Sequence, residues 1–332
     1  MDNAEWLAQT PEDAIDPALP ICDPHHHLWD FPTSRYLLED IAADVDAGHN
    51  VTSTVFVECT SMYREGGPDA MKPVGETEFV EAVAARSASG QYGPRGVAAG
   101  IVSYADLTLG GAVEEVLDAH IAASPNRFRG IRHASAWDAS NDVRNSHTKP
   151  PRGLLRDARF REGFGCLEKL GLSFDAWLYH TQIDDVTDLA QAFPGTTIVM
   201  EHVGGPLGIG PYQGRRDAVF ADWKMAIDRL AACPNVVVKL GGLAMKINGF
   251  DWHKRARPPG SEELAAAIAP YLLHCIERFG PARGMFESNF PVDKASCSYV
   301  VLWNAFKRVT ESFSATDRAA LFHDTAARVY RL

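Results

Sequence analysis

The stretch Ile21-Cys22-Asp23-Pro24-His25-His26-His27-Leu28-Trp29 decides how the rest of the chain is read. Its apolar start running into polar residues reads as a strand over 21–28. Period-two alternation then puts His25 and His27 on one face and His26 on the other. Seven further runs rich in Val, Ile and Phe follow, at 53–59, 97–104, 128–134, 173–180, 196–203, 235–240 and 283–289. Amphipathic helical patterns lie between them at 76–89, 111–123, 161–170, 186–193, 219–232 and 261–279, with a weaker one at 36–45. The 261–279 pattern opens on a Ser-x-Glu start and stops at Gly280.

Strands alternating with crossover helices make a parallel sheet. Eight units in 332 residues average about 41 residues each, the size of a (β/α)8 TIM barrel with enlarged loops. An open doubly wound sheet is the alternative, but no Gly-x-Gly-x-x-Gly follows the first strand. No linker, low-complexity tract or like-charge block divides the chain, so the expectation is a single barrel over 21–332 preceded by an extension over 1–20.

Composition narrows the function. Forty-three acidic against 32 basic residues give a formal charge of −11, which disfavours a nucleic-acid partner. The acidic first 20 residues lack a signal-peptide pattern, and no segment has the apolar length of a membrane helix. A soluble, cytoplasmic protein with a small-molecule substrate is expected, as a monomer or a homo-oligomer. Six scattered cysteines without a Cys-x-x-Cys pair fit reduced thiols.

In a barrel, polar residues at the carboxyl ends of strands converge on the catalytic face. The 12 histidines are unevenly useful by that test. His25, His27, His180 and His202 close three of the strand patterns, whereas His120, His274 and His323 fall in helical patterns as packing or surface residues. Lys239 lies inside an apolar strand, Glu58 closes another, and Arg132 lies in a third. Such charges must either neutralise one another or bind substrate. In the last strand Glu287 and Asn289 share a face. Trp29, Trp137 and Trp252 can wall a ring, and the cations of loops 205–217 and 244–260 suit an anionic substrate.

These pieces together resemble the amidohydrolase superfamily in its lactonase-like branch: Asp23-x-His25-x-His27-Leu28-Trp29, His180, Glu201-His202-Val203-Gly204-Gly205-Pro206, Lys239-Leu240-Gly241-Gly242 and Glu287-Ser288-Asn289-Phe290-Pro291-Val292-Asp293. The resemblance implies a TIM barrel that hydrolyses lactones, esters or amides. Strand-end histidines would place either one divalent ion, zinc by ligand type, or the substrate carbonyl without a metal. It assigns His25, His27 and His180 as metal ligands and His202 to catalysis. The family aspartate at the end of the last strand is Asn289 here, which cannot take a proton at neutral pH. Glu287 is the favoured replacement base, then Asp293, then a histidine. Lys239, Arg132, Glu58, Trp29 and Trp137 are the substrate-binding candidates. A non-oxidative decarboxylase of an aromatic or unsaturated acid and a non-catalytic small-acid binding protein are the competing readings.

Overall fold

The computed structural model describes residues 3–332. Eight strands form one parallel sheet in chain order: β1 (Pro20–His26), β4 (Asn50–Val57), β5 (Gly96–Ser103), β6 (Phe128–Ile131), β7 (Ser173–Ala176), β8 (Ile198–Met200), β9 (Val236–Leu240) and β10 (Gly284–Phe286). Two short strands, β2 (Trp29–Phe31) and β3 (Ser34–Tyr36), make a separate hairpin above β1. The sheet closes through a parallel bridge between His26 and Phe290. His27 donates its N–H to the Phe290 carbonyl at 2.8 Å, and Asn289 donates to the His25 carbonyl at 2.9 Å. The eight-stranded parallel barrel expected from the alternation is therefore what folds.

Helices cover the outside: α2 (Leu38–Val45), α3 (Val74–Ala88), α4 (Val113–Ala123), α5 (Ala158–Lys169), α6 (Ile183–Ala192), α7 (Arg216–Ala231), α8 (Ser261–Phe279) and α9 (Tyr299–Val309). Apolar faces of helices and strands fuse into the main core, which holds Phe160, Phe164, Phe174, Trp223, Trp303 and Phe306. A second cluster fills the barrel itself, where Cys22, Val55, Val57, Val102, Val199, Val237 and Met285 point inward. That cluster is completed from below by Ala326, Val329 and Tyr330 of the last helix, α11 (Thr325–Tyr330). Two further short helices, α1 (Asn3–Leu7) and α10 (Ala315–Ala319), complete the order.

Several strands end earlier than the apolar runs suggest. β6, β7, β8 and β10 stop at Ile131, Ala176, Met200 and Phe286, and the residues beyond leave the ladder. Beyond β8 and β10 the backbone itself departs from strand geometry: His202, Val203 and Asn289 take φ values of 53°, 47° and 55°. Left-handed conformations in non-glycine residues end strand pairing and are held only by tertiary contacts. The Ser-x-Glu start of α8 works differently from a capping box. Ser261 is the first helical residue, and Glu12, from the segment before the barrel, accepts its N–H at 2.7 Å.

Candidate functional site

β1 bulges between Asp23 and His26, and the segment after β10 together with the start of α9 holds that bulge in place. Asp23 Oδ1 accepts the Ser288 N–H at 2.9 Å and the His25 N–H at 3.3 Å, while Tyr299 Oη donates to Asp23 Oδ2 at 2.9 Å. The imidazoles of His25 and His27 thereby converge inside the barrel mouth, with Nε2 to Nε2 at 3.2 Å. His27 Nδ1 lies 2.8 Å from the Val57 carbonyl, which can only accept, so Nδ1 carries the proton and Nε2 offers a lone pair. Burial, followed by the nearby Arg132 charge, pushes His27 down to about 3. Burial and Lys239 likewise keep His25 well below the ordinary histidine range, so both rings are neutral.

Glu287 lies beside them from the end of β10. Its Oε1 accepts the backbone N–H of His202 at 3.1 Å and the ring Nδ1–H at 2.7 Å. Its Oε2 is fully buried without a hydrogen-bond partner, 2.9 Å from His25 Nδ1. The rings of His25 and His202 are 4.6 Å apart, and Trp177 meets His202 edge-on at 4.8 Å. Glycine is required next to them. A Cβ on Gly242 would lie 2.4 Å from His202 Cγ and Nδ1, and one on Gly241 would meet Glu287 Cγ at 2.5 Å.

Beneath and beside this group runs a chain of buried ions. Lys239 contacts Asp175 Oδ2 at 2.7 Å and Glu201 Oε1 at 3.3 Å. Glu201 Oε2 meets Arg132 at 3.0 Å, Arg132 Nε meets Glu58 Oε1 at 2.7 Å, and His147 caps Glu58 Oε2 at 3.1 Å. Burial alone would raise Glu58; Arg132 and His147 outweigh it and hold the carboxyl at about 2. Burial would likewise discharge Lys239, but Asp175, Glu201 and Glu287 keep it charged.

The structure brings His25, His27, His202 and Glu287 together, with Asn289 and Asp293 immediately behind. Asn289 Nδ2 donates to Asp293 Oδ1 at 3.0 Å, and Ala244 donates its N–H to Asp293 Oδ2 at 3.2 Å. Asp293 is therefore a fixed buried carboxyl rather than a mobile loop group, and burial pushes it up to about 7. Asn289 works as its donor.

Several expectations need correction. His180 does not join the other histidines: its Nδ1 accepts the Leu207 N–H at 3.3 Å and its ring packs on Tyr212, because β7 ends at Ala176 and the chain turns outward before reaching it. Lys239 does not face substrate, since it is fully buried and its charge is taken up by two carboxylates. Glu58 is equally buried and belongs to the same ion chain with Arg132. Trp29 stacks on His27 at 5.8 Å and lines a cleft of about 630 Å³ with Lys246, His253 and Lys294. Trp137 lines a separate cleft of about 720 Å³ with Arg152 and Tyr212. Trp252 is not a pocket wall: it is buried and stacked on Phe250 at 4.3 Å.

Asp175, His147, Trp177 and Tyr330 were not singled out in the sequence. Asp175 had a usable signal, a carboxylate inside the apolar run Phe174-Asp175-Ala176, which is the argument that picked out Lys239. Tyr330 had none.

The donor set suits a divalent ion. His25, His202 and Glu287 each offer a ligand atom within 4.8 Å of the others. The His25–His27 pair offers another option: two nitrogens bound about 2.0–2.1 Å from one tetrahedral zinc lie roughly 3.3 Å apart, close to the 3.2 Å observed. No helix among the described residues is long and apolar enough to cross a membrane, and all six cysteines are free.

Comparison with known proteins gives the same answer from outside the site. An uncharacterised protein of Sinorhizobium fredii, y4mH, is 34% identical over 94% of this chain and 98% of its own length. An L-fucono-1,5-lactonase of Burkholderia multivorans is 27% identical, covering 93% of this chain and 95% of its own. A zinc-bound amidohydrolase structure from Burkholderia multivorans superposes with a TM-score of 0.72 at 26% identity, over 94% of this chain and 99% of that one. The sequence model of the amidohydrolase family matches residues 22–332. Barrel, strand-end imidazoles and buried carboxylate thus have one common explanation: the chain belongs to the amidohydrolase family and is a hydrolase of that superfamily.

Proposed function

We propose that the chain hydrolyses a small lactone or ester, carboxylated or aromatic, with Glu287 as the general base. The observation that carries this reading is Glu287 Oε2, a buried carboxylate oxygen with no hydrogen bond in the middle of the histidine group. Its sister oxygen is saturated by two donors from His202, so only Oε2 is free to take a proton. The L-fucono-1,5-lactonase relative supports a cyclic ester as substrate.

Water beside Oε2 loses its proton to Glu287 as it attacks the carbonyl carbon. The tetrahedral intermediate collapses when Glu287 returns that proton to the leaving oxygen, so ring opening leaves the carboxyl regenerated. His202 holds Glu287 in register through two hydrogen bonds. His25 and His27 are the residues that would hold a divalent ion while leaving Glu287 unligated, and such an ion supplies Lewis-acid polarisation of the carbonyl. Trp29, stacked on His27, forms the apolar wall on that side of the mouth.

Glu287→Gln keeps the size and hydrogen-bonding capacity of the side chain and removes the base. Turnover on a lactone and ester panel should fall by about 10²–10⁴-fold with unchanged thermal unfolding. Full activity in Glu287→Gln would remove it as base. Release of carbon dioxide from an aromatic acid without water incorporation would favour the decarboxylase reading instead. Elemental analysis of untagged protein, alongside His27→Gln, reads whether an ion is held by the pair.

A further inference from the structure

The cleft of about 630 Å³ beside Trp29 is cationic in a protein whose net charge is −11. Its walls carry Arg35, Lys246 and Lys294 against one carboxylate, Asp40. The Trp137 cleft, by contrast, sets Arg152 and Arg156 against Asp138 and Asp185. Most of the charge in the Trp29 cleft is already taken up. Asp44 holds Lys294 at 2.6 Å, and Arg35 faces Asp30 across the β2–β3 hairpin at 4.0 Å. Asp40 accepts the Leu37 N–H at 2.8 Å, at the start of α2. Lys246 is different: it is exposed and has no ion-pair or hydrogen-bond partner among the described residues.

The backbone that carries Lys246 is tied down on several sides. Gly208 donates its N–H to the Ile247 carbonyl at 2.8 Å, Asn248 Nδ2 donates to the Pro206 carbonyl at 2.9 Å, and Arg216 donates to the Asn248 carbonyl at 3.0 Å. Trp6, from the segment before the barrel, donates Nε1 to the Arg255 carbonyl at 3.0 Å. Asp251 is the one carboxylate of loop 244–260, and Lys254 pairs with it at 2.9 Å, so the loop supplies Lys246 with no counter-ion. His253 lines the same cleft. Burial, then the neighbouring Lys246 charge, holds its imidazole below the ordinary histidine range, so the ring is neutral and offers one N–H. An unpaired ammonium on a fixed backbone is complementary to an anion brought from outside.

Two walls of this cleft touch His27. Trp29, pinned by its Nε1 donating to Ser34 Oγ at 3.0 Å, stacks on the His27 ring, and Pro291 follows the residue whose carbonyl accepts the His27 N–H at 2.8 Å. We propose that the cleft is a subsite for a carboxylate of the substrate, held by Lys246 and His253. One uncompensated ammonium beside one neutral donor matches a single negative charge. Because Trp29 stands between the cleft and His27, the substrate class is a lactone or ester whose carboxylate lies at least a ring's breadth from the scissile carbonyl. Carboxylate binding stands by itself; the substrate class rests on the hydrolytic reading above.

Adipate and its neutral diamide, adipamide, are the binding probes, titrated calorimetrically into the full chain and into Glu287→Gln. Adipate should bind both proteins, about tenfold more tightly than adipamide. Lys246→Met, which keeps most of the stem and removes the charge, should weaken adipate by about fivefold to tenfold, His253→Phe should weaken it less, and Lys246→Arg should restore it. Arg152→Met, in the Trp137 cleft, should leave adipate affinity unchanged. For turnover, 4-nitrophenyl hydrogen adipate is compared with the 4-nitrophenyl ester of adipamic acid. The wild type should prefer the acid, and Lys246→Met should raise KM for it by the same fivefold to tenfold, with kcat unchanged. Equal affinity for adipate and adipamide, an adipate affinity unmoved in Lys246→Met, or an equal loss in Arg152→Met overturns the subsite. Charge-selective binding that depends on Lys246, without hydrolysis of either ester, would uphold the subsite and sink the hydrolytic reading. Hydrolysis of both esters alike would do the reverse.

Discussion

Replacing Arg132 by Met probes the buried ion chain at its centre. Arg132 is held between Glu58 at 2.7 Å and Glu201 at 3.0 Å, and both carboxylates are fully buried. The two do not suffer equally. Glu201 keeps Lys239 at 3.3 Å, whereas Glu58 is left with only the half-exposed His147 at 3.1 Å. The uncompensated charge therefore falls mainly on Glu58. Breaking a buried pair by removing one partner typically costs about 3–5 kcal/mol, a large part of the roughly 5–15 kcal/mol that holds a folded domain together. With an m-value near the upper end of about 1–3 kcal/mol/M, the urea midpoint should drop by roughly 1–2 M.

The pH dependence has a definite sign. In the wild type Glu58 is held at about 2, below its unfolded value, so it adds stability above the unfolded pKa, and that stability is lost as pH falls toward 2. Without Arg132 the same burial raises the carboxyl above its unfolded value, so the mutant is penalised only while Glu58 is ionised. The gap between mutant and wild type should shrink as the pH is lowered from 8 to about 5. Adding Glu58→Gln to Arg132→Met should restore more than half of the loss. Urea unfolding at the two pH values measures all of this. A loss under about 1 kcal/mol in Arg132→Met, a loss independent of pH, or no recovery in the double variant would refute the reading that Arg132 compensates the buried charge of Glu58.

Gly242→Ala places a Cβ 2.4 Å from His202, so it should displace the ring, reduce turnover by about 10²-fold and lower stability by about 1–3 kcal/mol, measured by steady-state kinetics and urea unfolding. Wild-type turnover there would mean that His202 tolerates displacement. His120, buried between Thr77 and the Tyr104 carbonyl, is pushed down to about 4 by burial. The unfolded chain binds its proton near pH 6.5, so stability should fall as pH drops from 6.5 toward 4, with His120 accounting for about 2.5 kcal/mol by pH 4.5. His120→Asn should flatten that slope in urea titrations; an unchanged slope would show that this histidine is not held neutral.

Local pattern determined much of this protein. The alternation of β-branched runs with amphipathic segments is enough to specify parallel strands joined by helices, because both periodicities are properties of the chain alone. His25 and His27 were readable for the same reason, as neighbours on one strand whose common face follows from the pleat. Glu287 was readable as the carboxylate that alternation puts on the face of Asn289.

Tertiary structure decided which polar residues meet. His180 and His202 looked equivalent as strand-end histidines, yet one turns out to Tyr212 and the other turns in to Glu287. The difference lies in backbone that pairing alone does not set: the left-handed turn at His202 and Val203 is held by Glu287, the residue that follows β10, 85 residues away. Lys239 was visible as a buried charge, but only the barrel's closure showed that Asp175 and Glu201 neutralise it from two other strands. Tyr330 lies farthest from any local reading, since its partner Asp175 is 155 residues distant and meets it only because the last helix plugs the barrel. A strand's own residues fix what it can present; which charges it faces depends on neighbours that the closed sheet brings to the same axis.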